Sequence, residues 1–159
     1  CVRQNEQLEC LCGNALGIIR VVTVGEMPVF SCLNIRQGKS LLTAEIDEKT
    51  GVVKGSAFDE NNGLYYRHPI TNKRFDGFHI PLWNEILSTV SAASKVLTSV
   101  NYCGWDIAVL NDRAELIDAT SFPRHDFYRV CDNKSLRYKI EQEMYSGIKN
   151  NHKITVNKK

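Results

Sequence analysis

Two acidic side chains stand in neighbouring apolar runs of residues 101–123. Asp106 falls early in the first run, Asp118 near the end of the second, and Asn111-Asp112-Arg113 separates them. Runs of this length and composition read as the strands of an antiparallel hairpin. Counted from a turn centred on Asp112, Asp106 lies six residues before and Asp118 six after, which sets the carboxylates opposite each other on one side. A bulge or a different loop length would shift the register by one and send one acid to the other face. Two carboxylates this close repel unless water, a shared proton or a cation separates them. A hard, oxygen-seeking ion such as Mg²⁺, usually held together with phosphates, is the chemistry this pattern offers. Acids that simply end strands facing water are the other reading of the same two residues.

The basic residues divide into two kinds. Arg20 sits inside an apolar strand-like run, where an unpaired charge would cost several kcal/mol. It therefore needs a partner, either a ligand phosphate or a protein acid such as Glu45. Lys39 and Arg74 lie in polar loops and read as solvated. His125 and Asp126, just past Pro123-Arg124, read as a surface turn.

Composition narrows the classes. The chain has 159 residues, 43% of them hydrophobic, with a net charge of +2. That suits one globular domain over residues 1–149 with a polar, basic tail at 150–159. A balanced charge favours neither a nucleic-acid surface nor a membrane patch. No apolar run reaches the length of a membrane span, and the start lacks a secretory pattern. The expectation is a cytoplasmic protein that binds no nucleic acid and has no membrane span. A chain that opens on Cys1 is expected either to have lost a leading segment or to be one piece of a longer protein. The six cysteines show no disulfide framework, and Cys10-Leu11-Cys12 is too closely spaced for a zinc knuckle, with no histidine at ligand spacing to it.

The elements that would position these groups follow from periodicity. Residues 17–24, 29–35, 41–46 and 52–54 are β-branched runs joined by short turns, an antiparallel meander. Residues 55–77 are polar and irregular, a long loop of the kind that is functional or mobile. A helix starts at Pro81, with Trp83, Ile86, Leu87, Val90, Ala93 and Leu97 at helical spacing and Trp83 as a core anchor. After the two-acid hairpin, residues 135–148 form a second helix striped by Leu136, Ile140, Met144 and Ile148. The expected fold is α+β, an antiparallel sheet with both helices packed on one face. No Gly-rich phosphate loop, GxSxG or HExxH is present.

From residue 16 to about 128 the chain resembles the carboxy-terminal half of a sugar-transfer-associated ATP-grasp domain. The resemblance rests on pieces in order. They are Ile18-Ile19-Arg20-Val21-Val22-Thr23, Leu33-Asn34-Ile35-Arg36-Gln37-Gly38, Ile46-Asp47-Glu48-Lys49-Thr50-Gly51, His68-Pro69-Ile70-Thr71, Gly77-Phe78-His79-Ile80-Pro81-Leu82-Trp83 and Gly104-Trp105-Asp106-Ile107-Ala108. It implies an ATP- and Mg²⁺-dependent carboxylate ligase working through an acyl phosphate, linked to cell-surface polysaccharide or sugar modification. The partners it implies are a nucleotide, a carboxylate or sugar-linked substrate, and an amino-terminal half of the same protein. It places Asp106, Asp118 and Thr120 at the metal, Ala108 and Ile117 in the adenine slot, and Arg20 and Arg36 at phosphate or substrate. The chain departs from the family at Asp118, where glutamate is usual, and at Thr120, where asparagine is. The family's phosphate-binding lysine and adenine hinge are absent from this stretch. A degenerate, non-catalytic binding domain is thus the alternative, and the chain alone is expected to be inactive.

Overall fold

The structure is a computed structural model that describes residues 3–97, 99–121, 123, 138, 140–143 and 145. In chain order the elements are α1 (Glu6–Cys12), β1 (Gly17–Val24), β2 (Met27–Gln37), β3 (Ser40–Ile46), β4 (Val53–Phe58), β5 (Leu64–Tyr65), α2 (Trp83–Val96), β6 (Tyr102–Val109) and β7 (Ala114–Ser121). The seven strands form one sheet in the order β5-β4-β3-β2-β1-β6-β7, and every pairing is antiparallel. The meander of residues 17–54 is therefore present, and β6 joins it at the free edge of β1.

Alternation along the strands gives the sheet two different faces. One carries Ile19, Val21, Leu33, Ile35, Leu42, Ile46, Trp105 and Ile107, which pack with Leu8 and Leu11 of α1 and Trp83, Ile86 and Val90 of α2. The apolar stripe of α2 is the one its spacing predicts, and Trp83 is buried with its indole N–H donating to the Glu48 carbonyl at 3.1 Å. Gly51 allows this approach: a Cβ there would lie 2.4 Å from Trp83 Cγ, and its φ is +70°.

Three expectations need correction. The helix does not start at Pro81, because Leu82 takes a left-handed conformation (φ 57°) and the first helical residue is Trp83. Residues 55–77 are not an irregular loop throughout. β4 runs on to Phe58, β5 pairs with it, and Asp59 Oδ1 accepts from the Asn61 and Gly63 N–H groups at 2.9 and 2.7 Å. Of the second predicted helix, residues 138, 140–143 and 145 are helical. Ile140 packs on a separate cluster of Val22, Val24, Phe30, Cys32 and Tyr102, on the face turned away from α2. The two helices thus do not share a face. The rest of that helix and residues 150–159 lie outside the described residues.

Candidate functional site

On the face away from α1 and α2, strand register lines up six side chains in one row across six strands. Lys54 pairs with Glu45, Glu45 with Cys32, Cys32 with Arg20, Arg20 with Asp106, and Asp106 with Asp118. Paired residues share a face, and neighbouring strands lie about 4.8 Å apart, so each group of the row is beside the next. The two aspartates stand opposite each other as their spacing predicts.

The route to that juxtaposition differs from the simple count. The hairpin closes with Val109 opposite Ala114, and continued regularly this would set Asp106 against Ile117. A bulge beyond Ile107–Leu116 leaves Ile117 out of the ladder and brings Asp118 opposite Asp106.

Arg20 is bound to Asp106 through two bonds, Nε to Oδ1 and Nη2 to Oδ2, both 2.6 Å. Both side chains are mostly withdrawn from water, at 19% and 15% exposure. The hydrogen bond to Asp106 raises the guanidinium above its ordinary pKa, against burial that would lower it. This corrects the acid named as a protein partner for Arg20: Glu45 is two strands away and instead binds Lys54 Nζ at 2.7 Å. Between Arg20 and Glu45 lies Cys32, fully buried, its thiol pushed up to about 12 by desolvation. Next to it, Asn34 Oδ1 accepts from the Thr43 hydroxyl at 2.9 Å. Cys32, Asn34, Thr43 and the Glu45–Lys54 pair were not singled out from sequence. Their signal was the period-two placement of polar side chains in otherwise apolar strands.

Asp118 is exposed, and its Oδ1 accepts from the Ala119 N–H at 2.8 Å. Thr120 pairs with Gly104, one alternation further along the same strands. Ala108 is buried, flanked by Ile18 on β1 and Glu115 on β7. Ile117, the bulge residue, is half exposed. Arg36 is exposed on the same alternation of β2 as Cys32 but four residues further on, opposite Leu41 near the turn. The row therefore gathers Arg20, Asp106 and Asp118, sets Thr120 and Ala108 to either side, and leaves Arg36 apart.

Among the described residues no group of three or more His, Cys, Asp or Glu side chains converges as a metal cage. Two carboxylates and a hydroxyl still suit a Mg²⁺ that takes its remaining ligands from phosphate and water. A carboxylate offers about four lone-pair positions, so a two-bond clasp by arginine leaves Asp106 acceptor capacity to share.

A seven-stranded antiparallel sheet, with α1 and α2 on one face and a charged row on the other, is consistent with one subdomain of the ATP-grasp fold. The chain belongs to the sugar-transfer associated ATP-grasp family, whose family model matches residues 1–143. Neither the curated proteins nor the solved structures gave a match. Membership supports ATP binding and a ligase-type function associated with sugar transfer. No helix among the described residues is long and apolar enough to cross a membrane.

Proposed function

We propose that the charged face is one wall of the nucleotide site of an ATP-grasp ligase, a cytoplasmic enzyme that activates a carboxylate in building or modifying cell-surface polysaccharide. The observation that carries this is the Arg20–Asp106–Asp118 row, with one fixed cation beside two acids on the face of the sheet away from α1 and α2. Asp106, Asp118 and Thr120 would hold Mg²⁺, which would supply positive charge to offset that of the phosphates. Asp106 has a second task, holding the Arg20 guanidinium flat beside the phosphate path. Arg36 serves the phosphate or substrate further along β2, and Ala108 and Ile117 give the adenine an apolar surface. The γ-phosphoryl group passes to a substrate carboxylate, and an amine or hydroxyl then attacks the acyl phosphate and expels phosphate. Such transfer depends on positioning and electrostatics more than on covalent help from the protein. A second lobe that carries a phosphate-binding lysine and an adenine hinge completes the site.

Asp118 and Thr120 favour a second reading, a domain of this fold that binds nucleotide or a partner without turnover. Aspartate is one methylene shorter than glutamate, and Mg²⁺ demands near-ideal octahedral distances. Titration calorimetry with Mg²⁺–ATP tests both. The expected result is weak, Mg²⁺-dependent binding that Asp106→Asn abolishes. Binding equal with and without Mg²⁺, and unchanged by Asp106→Asn, would refute the site.

A further inference from the structure

Residues 66–75 form a short hairpin anchored in the core beneath the helices, away from the charged row. Its backbone is closed by the Phe75 N–H on the Tyr66 carbonyl (3.2 Å), the His68 N–H on the Lys73 carbonyl (2.8 Å) and the Asn72 N–H on the His68 carbonyl (2.9 Å). Arg67 and Arg74 face each other in an isolated bridge. Phe75 and His68 plug its base at 0% and 1% exposure. The Thr71 hydroxyl ties it to α1 through the Leu11 carbonyl at 2.7 Å. The hairpin is thus ordered before it meets any partner.

What it presents outward is unusual for a surface loop. Ile70 is 73% exposed and Tyr66 68%. Arg67, Lys73 and Arg74 are exposed beside them, offset by Asp76, which pairs with Arg74 at 3.2 Å. In a chain whose net charge is only +2, three cations within eight residues are a local concentration. An exposed isoleucine at the tip and an exposed tyrosine at the base, with cations on both arms between them, match the boundary of an anionic bilayer, where lipid phosphates meet acyl chains. It matches a protein partner less well, because stable interfaces take roughly 20–30 residues a side.

We propose that this hairpin docks the protein on an anionic membrane surface. Ile70 and Tyr66 enter the headgroup region, and Arg67, Lys73 and Arg74 lie against lipid phosphates. The charged row is on the opposite face of the sheet, so docking leaves it open, and the inference stands whether or not that row binds nucleotide.

Co-sedimentation of the whole chain with vesicles tests this. Binding is expected to phosphatidylcholine vesicles doped with phosphatidylglycerol, but not to phosphatidylcholine alone, and it should fall as salt rises. Lys73→Glu reverses one charge and should weaken partitioning by about thirtyfold. Ile70→Glu should remove binding even at low salt, whereas Met27→Glu, at an exposed apolar site elsewhere, should leave it unchanged. A Tyr66→Trp reporter should shift its emission to the blue only with the anionic vesicles. Equal sedimentation with both vesicle types, none with either, or full retention by Ile70→Glu and Lys73→Glu would overturn the proposal.

Discussion

The Arg20–Asp106 pair ties stability to the site. Each charge is largely withdrawn from water, so either one alone would stand uncompensated in an apolar strand. Asp106→Leu is expected to cost roughly 2–4 kcal/mol in urea unfolding, and Arg20→Met combined with it should recover most of that loss. A double variant no more stable than Asp106→Leu would show that the pair's packing matters more than its charge. His68 is a second residue with a readable consequence. Its Nδ1 accepts from the Thr71 N–H at 3.3 Å, so the ring proton sits on Nε2, which is buried without a partner. Burial holds its pKa below the ordinary 6.5. Above that value neither folded nor unfolded chain protonates the ring, and this contribution to stability is complete. As pH falls below it the unfolded chain takes up a proton that the folded one refuses. Stability should therefore decline with a slope of up to about 1.4 kcal/mol per pH unit until the folded ring titrates. His68→Asn, whose amide oxygen can replace Nδ1 as acceptor, should flatten that slope below about pH 6.5 in unfolding titrations. A slope unchanged in the variant would assign it to other groups.

At the scale of elements, β6 and β7 carry the most instructive comparison between sequence and structure. The opposition of Asp106 and Asp118 was legible from a symmetric count about Asp112, yet the turn sets a register one residue away and the bulge at Ile117 restores the match. Deleting Ile117 should therefore give a regular hairpin that keeps Asp106 opposite Asp118, with stability changed by about 1 kcal/mol or less by thermal melting. If Ile117 lines the adenine surface, nucleotide affinity should fall while the fold persists. Unchanged affinity would remove Ile117 from the site. The strands β1 to β3 and the helix α2 were legible because β-branched runs and a helical stripe are local signals. The partner of Arg20 was not, because β1 and β6 meet across 86 positions of chain. The Glu45–Lys54 pairing depends on a second register shift, between Ala44 and Glu45, that no local motif announces. The seven-residue helix α1 escaped notice because only Leu8, Leu11 and Cys12 face the core, too few for a periodic stripe.

For the whole molecule, the sheet separates two kinds of surface, a helix-covered core side and a face whose row ends in two acids. On that face the described cations are already engaged: Arg20 with Asp106 and Lys54 with Glu45, while Arg36 stands apart near a turn. A triphosphate laid there would meet one well-placed guanidinium and a pair of carboxylates that welcome it only through a divalent ion. None of the described residues on this face closes over a nucleotide or fixes the γ-phosphoryl group in line with an acceptor. Displacement by about 1 Å can cost on the order of a hundredfold in rate, and phosphoryl transfer draws nearly all its acceleration from such positioning. The purified chain is accordingly expected to release no phosphate from Mg²⁺–ATP above the protein-free blank, even at concentrations where calorimetry detects binding. A second lobe bearing a lysine, added in trans, should raise the rate if it shares the site. Phosphate release by the chain alone, lost on Asp106→Asn, would mean that this face suffices for catalysis and that the one-wall description is wrong.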